Sequence, residues 1–244
     1  MSILSGFVPK KSAGVSFWCD EELFKVVKHG FFCRDVHVSS SEVHDLEIFG
    51  DLCSVSLLRQ VHGTRICSVM DRGGEGDGFF LETGDGFAGI KTADCTPVII
   101  LNKELSLASI LHCGWRGTLD GIIFEAVKKF KDRGVSPSDL LALIGPAAQV
   151  CCYEVGRDLI DRVLVLEDLY RRQCGSDMTS AVKFTNNSNY FSVPFLIREQ
   201  LLASGLEFED ISILDLCTIC NKSFYSYRRE GTMAGRQLSF LGMF

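Results

Sequence analysis

Three residues that commonly bind transition metals end strand-like apolar runs in the first half of the chain. Cys95 lies between Thr92 and Pro97, His112 precedes a Cys-Gly-Trp-Arg-Gly segment, and His62 ends the run Gln60-Val-His-Gly63. Each lies beside a Gly or Pro turn. The three side chains can therefore meet at one rim of a β-structure.

Zinc accepts imidazole nitrogen and thiolate sulfur, and a catalytic zinc usually has three protein ligands and one open position. His62, Cys95 and His112 match such a set, which would activate a water or a leaving group. Other interpretations remain open at this point. Cys95 could act as a nucleophile with a histidine base, or the three residues could be core histidines and a turn cysteine.

Arginines at element ends provide candidates for anion binding. Arg116 stands where the most regular helical pattern begins, so its side chain and nearby free N–H groups could hold a phosphate. Arg34 follows an apolar run, and Arg229 follows the aromatic segment Phe224-Tyr-Ser-Tyr227. Any of them could equally form a surface ion pair.

The eleven cysteines are scattered, and the sequence starts without the charged-then-apolar order of a secretory leader. This favours a reducing cytoplasm with free, mostly buried thiols. We interpret the lone Cys217-Thr-Ile-Cys220 motif and the Cys151-Cys152 pair as structural. No apolar run approaches the roughly 20 residues that cross a bilayer, and the net charge of −6 argues against nucleic acid as a partner.

The elements that must position these residues alternate between short strands and helices. Apolar runs predict strands over 26–33, 86–92, 97–102, 105–111 and 140–144, and helical spacing from Leu119 to Phe130 predicts a helix that ends at Gly134. The polar stretch over 171–189 predicts an irregular connection. Further helices are predicted over 156–170, over 194–204 and, from a capping-box pattern, over about 39–49. We expect a single α+β domain over 1–244, with mixed β-sheets packed as a sandwich and flanked by helices.

Seven segments give the chain a specific resemblance. It resembles the laccase-domain family, also called the polyphenol oxidase or peptidoglycan editing factor family, in segments that occur here in the family's order: Gln60-Val-His-Gly63, Thr92-Ala-Asp-Cys-Thr-Pro97, His112-Cys-Gly-Trp-Arg-Gly117, Ile144-Gly-Pro146, Cys152-Tyr-Glu-Val-Gly156, Cys217-Thr218 and Phe224-Tyr-Ser-Tyr-Arg-Arg229. The match extends from about Val26 to the end.

The resemblance implies a zinc enzyme whose metal is held by His62, Cys95 and His112. Family members cleave adenosine or inosine with phosphate to the base and ribose 1-phosphate, some with adenosine deaminase and methylthioadenosine phosphorylase activity. A purine nucleoside and phosphate are therefore the expected partners, whereas the oligomeric state stays open. The resemblance also implies that Arg34 binds phosphate, with Arg116 and Arg229 as further candidates, and that Asp77 contacts the nucleoside.

Two functions of other kinds remain open. Bacterial relatives are linked to peptidoglycan maintenance, so the site could instead hydrolyse an amide in cell-wall precursors, with Cys95 or a zinc-activated water as the nucleophile. Alternatively, a structural zinc closed by Cys113 would make the chain a binding module.

Overall fold

The computed structural model describes residues 4–12, 14–36, 43–48, 51–174, 181–185 and 188–244. Within those ranges the chain forms sixteen strands and six α-helices. The strands are β1 Phe7–Ser12, β2 Val15–Asp20, β3 Lys28–Phe32, β4 Val43–Ile48, β5 Asp51–Ser56, β6 Ile66–Cys67, β7 Gly78–Glu82, β8 Gly86–Thr92, β9 Thr96–Asn102, β10 Leu107–Cys113, β11 Leu140–Ile144, β12 Glu154–Val155, β13 Val182–Phe184, β14 Asn189–Phe191, β15 Ile211–Ile213 and β16 Gln237–Met243. The helices are α1 Glu21–Val26, α2 Trp115–Leu119, α3 Ile122–Lys131, α4 Arg157–Cys174, α5 Val193–Ser204 and α6 Tyr227–Glu230.

Two large mixed sheets and a small one organise the strands. The first large sheet has the order β1-β2-β3-β16-β8-β5-β4 and is antiparallel except for the β5–β8 pair. The second has the order β15-β11-β9-β10-β7-β6, with parallel pairs at both edges. β12, β14 and β13 form the small antiparallel sheet.

The two large sheets pack face to face. Strand alternation sends Ile99, Ile110 and Leu143 of the second sheet into one buried cluster with Ile90 and Leu241 of the first. The opposite face of the second sheet packs against α3, α4 and α5. The predicted fold class, mixed sheets in a sandwich flanked by helices, is confirmed.

The most regular predicted helix is α3. One face of this helix is buried and consists of Ile122, Ile123, Ala126, Val127 and Phe130. The lysines in its last turn stabilise the helix, because they lie at the negative end of the helix dipole. The strands predicted over 86–92, 97–102 and 140–144 match β8, β9 and β11 to within one residue.

Three local predictions were wrong. The predicted helix over about 39–49 is strand β4 where the structure describes it, because Val43–Ile48 pairs with Asp51–Ser56; residues 39–42 and 49 lie outside the described ranges. The predicted strand over 26–33 begins only at Lys28, since Asp20 caps the short helix α1 before it. The predicted irregular connection over 171–189 includes the end of α4 and β13.

Candidate metal centre

The three candidate metal-binding side chains meet at one end of the sandwich. His62 lies in the loop between β5 and β6, Cys95 in the connection that carries the chain from β8 in the first sheet to β9 in the second, and His112 near the end of β10. Their nitrogen and sulfur atoms lie within 4.8 Å of one another. The two imidazole rings are in edge-to-face contact, with centroids 4.8 Å apart.

A buried carboxylate organises both histidines. Asp77 has no exposed surface and accepts hydrogen bonds from the backbone N–H groups of Val61, His62 and Gly63, at 3.2, 2.9 and 2.7 Å. The same carboxylate lies 2.8 Å from Nδ1 of His112. Since Nδ1 is engaged there, Nε2 of His112 is the nitrogen left for a metal, an arrangement common among metal-binding histidines.

This placement differs from the role predicted for Asp77. The side chain lies beneath the histidines and is not part of the pocket surface, so it has no face to present to a nucleoside. The geometry assigns it the positioning of the two histidines instead.

Two residues next to the site adopt the left-handed backbone conformation. His62 has φ 62° and Asp94 has φ 87°, values that residues other than glycine rarely adopt. Asp77 holds the first of these turns. The second is held by the Asp94 carboxylate, which accepts hydrogen bonds from the Thr218 hydroxyl and the Arg228 N–H, both at 2.7 Å. Such conformations persist only where the surroundings enforce them, and they concentrate at functional sites.

Glycines let the segment after His112 approach the other two loops. A Cβ on Gly114 would lie 2.8 Å from Cδ2 of His62 and 3.4 Å from Sγ of Cys95, and one on Gly117 would lie 2.4 Å from the Gly63 carbonyl oxygen. The Gly-Trp-Arg-Gly segment therefore needs glycine at both positions to pack against the His62 loop.

Electrostatics favour a thiolate in this site. Burial would raise the pKa of Cys95, but the positive charge of His112 and hydrogen bonds with His112 and His62 outweigh burial and lower it to about 6. Burial opposes ionisation of Asp77 as well, yet the hydrogen bonds from His112 and from the Gly63 and His62 N–H groups lower its pKa. The site therefore combines one thiolate donor with two imidazoles, a set that zinc accepts.

Cys113 does not complete the set. Neighbouring residues of a strand point to opposite faces, so Cys113 packs in the core beneath the helices, away from His112. Burial and the nearby Cys95 raise the pKa of its thiol well above the ordinary value. Among the described residues the cluster thus has three protein donors, the number typical of a catalytic zinc with an open position.

A pocket of about 550 Å³ opens over the cluster, a size suited to a small ligand. Cationic and aromatic side chains surround its three candidate metal donors. The pocket is lined by Arg59, Gln60, His62, Lys91, Ala93, Asp94, Cys95, His112, Trp115, Arg116, Tyr153, Tyr227, Arg228 and Arg236. Five of these are Lys or Arg and one is an acid, so the pocket is positive although the whole chain carries a net charge of −6.

The three predicted phosphate-binding arginines occupy different surroundings. Arg116 lines the pocket, with its guanidinium 4.2 Å from the Trp115 ring centroid. Arg229 is outside the pocket lining and donates to the carbonyl oxygens of Thr218, Ile219 and Phe224.

Arg34 also lies outside the lining. It pairs with Glu230 at 3.4 Å and stacks on Tyr225. Only Arg116 of the three is therefore placed to meet a ligand over the metal cluster.

The sequence interpretation missed several lining residues. Lys91 directly precedes the Thr-Ala-Asp-Cys segment, whereas Asp94, Tyr153 and Arg228 lie within segments that carried the family resemblance. Their position in or next to those segments was the signal in the sequence that they could line the pocket. The sequence holds no such signal for Arg236, because the turn before β16 brings it to the pocket.

Comparisons with known proteins identify the family. The family model described as multi-copper polyphenol oxidoreductase laccase matches residues 29–244. This chain belongs to that family. The resemblance predicted from the seven segments is thereby confirmed.

The chain is similar to curated proteins named purine nucleoside phosphorylase. It is 31% identical to the protein of that name, YlmD, from Bacillus subtilis, over 99% of this chain and 88% of the relative. It is 32% identical to the Aquifex aeolicus protein, over 71% and 75% of the two chains. These relatives support an enzyme.

Solved structures share the fold. The crystal structure of the Bacillus licheniformis protein YfiH matches with a TM-score of 0.79 and 24% identity over 97% of this chain and 99% of that one. YlmD from Geobacillus stearothermophilus matches with a TM-score of 0.76 and 24% identity over 100% and 99%. Within the ranges that the structure describes, no helix is long and apolar enough to cross a membrane.

Proposed function

We propose that this protein is a zinc-dependent purine nucleoside phosphorylase, which converts adenosine or inosine and phosphate to the free base and ribose 1-phosphate. The observation that carries the proposal is one pocket that combines a His62/Cys95/His112 donor set with five cationic side chains and three aromatic ones. The names of the relatives agree with it.

The cations account for phosphate. Arg116 is the strongest candidate, because it lines the pocket and its guanidinium makes no hydrogen bond to the described residues. Its contact there is with the Trp115 ring. Lys91 and Arg59 line the same space, although Arg59 also pairs with Glu75 at 2.7 Å. Arginine binds phosphate in a bidentate manner, which fixes orientation as well as charge.

The aromatic residues account for the purine. Trp115, Tyr153 and Tyr227 line the pocket, and a planar base stacks on such rings. Arg228 lies 4.9 Å from the Tyr153 ring centroid and donates to the Glu154 carbonyl oxygen, so it holds this wall in place.

Phosphorolysis forms a bond between a phosphate oxygen and C1′ and breaks the bond from C1′ to the purine nitrogen. The electron pair leaves with the purine, which takes up a proton. The side chains of this pocket contribute by holding phosphate and nucleoside together and by stabilising the phosphate charge. Zinc bound to His62, Cys95 and His112 would supply a Lewis acid next to the nucleoside.

Zinc accepts both kinds of donor in this set, the imidazole nitrogens of His62 and His112 and the thiolate of Cys95.

A nucleoside assay with and without phosphate tests the proposal. Purified protein should release free base and ribose 1-phosphate from adenosine or inosine only when phosphate is present, and Cys95→Ala should abolish this. Cys53→Ala, at a half-buried thiol outside the His62/Cys95/His112 cluster, is the matched control. Chromatography of the same samples also detects adenosine deamination and methylthioadenosine cleavage, which we assign to the same site.

Release of base without phosphate would count against phosphorolysis and favour hydrolysis. Activity on amide-linked cell-wall precursors, with none on nucleosides, would replace the proposal by the hydrolase alternative.

A further inference from the structure

The fold brings together four more cysteines, which are distant in sequence from the proposed catalytic ligands. Cys151 and Cys152 follow β11, and Cys217 and Cys220 follow β15. All four sulfur atoms lie within 4.8 Å of one another. The adjacent pair and the CxxC motif, each interpreted as structural when considered alone, form one cluster.

The sheet produces this meeting. β11 and β15 are parallel neighbours, and the pairing continues past their ends as an isolated bridge between Ala147 and Cys217. The Thr218 N–H donates to the Ala147 carbonyl oxygen at 3.0 Å. The turn that carries Cys151 and Cys152 therefore lies against the CxxC turn, although 65 residues separate Cys152 from Cys217 in sequence.

The spacing suits one tetrahedral ion. With zinc–sulfur bonds of about 2.3 Å, the sulfurs of a tetrahedral site lie about 3.8 Å apart, so these four need only small shifts to share a metal. An iron–sulfur cluster holds its thiolates around several atoms and needs wider spacing. Four cysteines with no open position are typical of a structural site.

Backbone groups hold the CxxC turn in place. The N–H groups of Cys220, Gln149 and Ile219 donate to the Cys217 sulfur. Arg229 donates to the carbonyl oxygens of Thr218 and Ile219 and fixes the turn from the other side. The position of the Cys217 sulfur relative to the other three is therefore set by the backbone.

We infer that Cys151, Cys152, Cys217 and Cys220 form a second metal site that binds one zinc ion and clamps two loops beside the pocket. The clamp reaches the pocket along two short paths. Tyr153 of the pocket wall follows Cys152, and Thr218 of the CxxC turn donates to Asp94, which precedes Cys95. The ion is structural and takes no part in the chemistry.

Zinc content of the full chain, purified without a metal-binding tag or chelator, tests this site separately from the proposed activity. We expect two zinc ions per chain in the wild type, one in Cys220→Ser and one in Cys95→Ala. Cys53→Ser should retain two. If the proposed phosphorylase activity were absent, Cys220→Ser should still lose one zinc ion relative to the wild type. The two proposals are therefore distinguishable.

Cys151 and Cys220 are exposed, so Cys151→Ser serves as a second variant if one substitution impairs folding. In the wild type, alkylation of these two exposed thiols should be slow until a zinc chelator is added and fast afterwards. Equal zinc in wild type and both variants would overturn the inference. A disulfide among the four cysteines, detected by mass spectrometry of unreduced protein with no zinc bound there, would also overturn it.

Discussion

The His62/Cys95/His112 cluster and the four-cysteine cluster differ in the number and origin of their donors. The first draws three donors from two loops and a strand, and a fourth candidate, Cys113, points into the core. The second draws four from two turns. Three donors would leave a position for chemistry and four would close the site, so the donor count alone distinguishes the proposed catalytic centre from the proposed structural one.

Their support differs as well. The His62/Cys95/His112 cluster depends on the buried Asp77, which holds the His62 loop and the His112 ring, whereas the CxxC turn depends on backbone N–H groups and Arg229. Asp94 links the two through Thr218. Substitutions of the supporting residues should therefore affect one cluster and spare the other.

The largest effect should come from Asp77→Asn. An amide keeps the shape but loses the charge that orients His112, and loss of such a partner typically lowers metal affinity or activity by roughly 10–100-fold. Zinc competition against a chelator and the phosphorolysis assay measure this. The four-cysteine site should keep its zinc; loss of both ions would show that Asp77 supports the whole fold and not one site.

Arg116→Ala should raise the KM for phosphate about tenfold, the equivalent of about 1.4 kcal/mol of lost binding. Arg34→Ala is the matched control, because Arg34 pairs with Glu230 outside the pocket lining. Steady-state kinetics with phosphate varied at saturating nucleoside separate the two. A larger effect at Arg34 would restore the order predicted from the sequence.

The different surroundings of Arg34 and Arg116 show what the sequence could and could not specify. The candidate ligands His62, Cys95 and His112 were identifiable because each lies beside a Gly or Pro turn next to an apolar run, and α3 because its apolar spacing is regular. Arg34 lies outside the pocket lining, and an element boundary does not reveal where a long side chain points. Cys151 and Cys217 were treated separately because only the parallel pairing of β11 with β15 brings them together.

Strand β4 illustrates the same limit at the level of the fold. A capping-box pattern at residues 39–42 favoured a helix, yet Val43–Ile48 forms a hairpin with β5, which in turn pairs with the more distant β8. Pairing between strands is not encoded locally, so tertiary contacts override local propensity here.

Gly114→Ala should have a smaller, local effect. The new methyl group would lie 2.8 Å from Cδ2 of His62, and overpacking of this kind costs about 1–3 kcal/mol of stability. The unfolding temperature and the zinc affinity should both decrease, with zinc lost from the proposed catalytic site only. Unchanged affinity would mean that the His62 loop can move without disturbing the ligand set.

Cys113→Ala should have the smallest effect on metal binding. The side chain packs among the residues under the helices, so its removal costs about 1 kcal/mol of stability by loss of buried contacts. Zinc content and phosphorolysis should match the wild type, whereas Cys220→Ser should lose one zinc. If Cys113→Ala also lost a zinc ion, both clusters would have four donors. The open position on which the catalytic assignment depends would then be closed, and the binding-module interpretation would replace it.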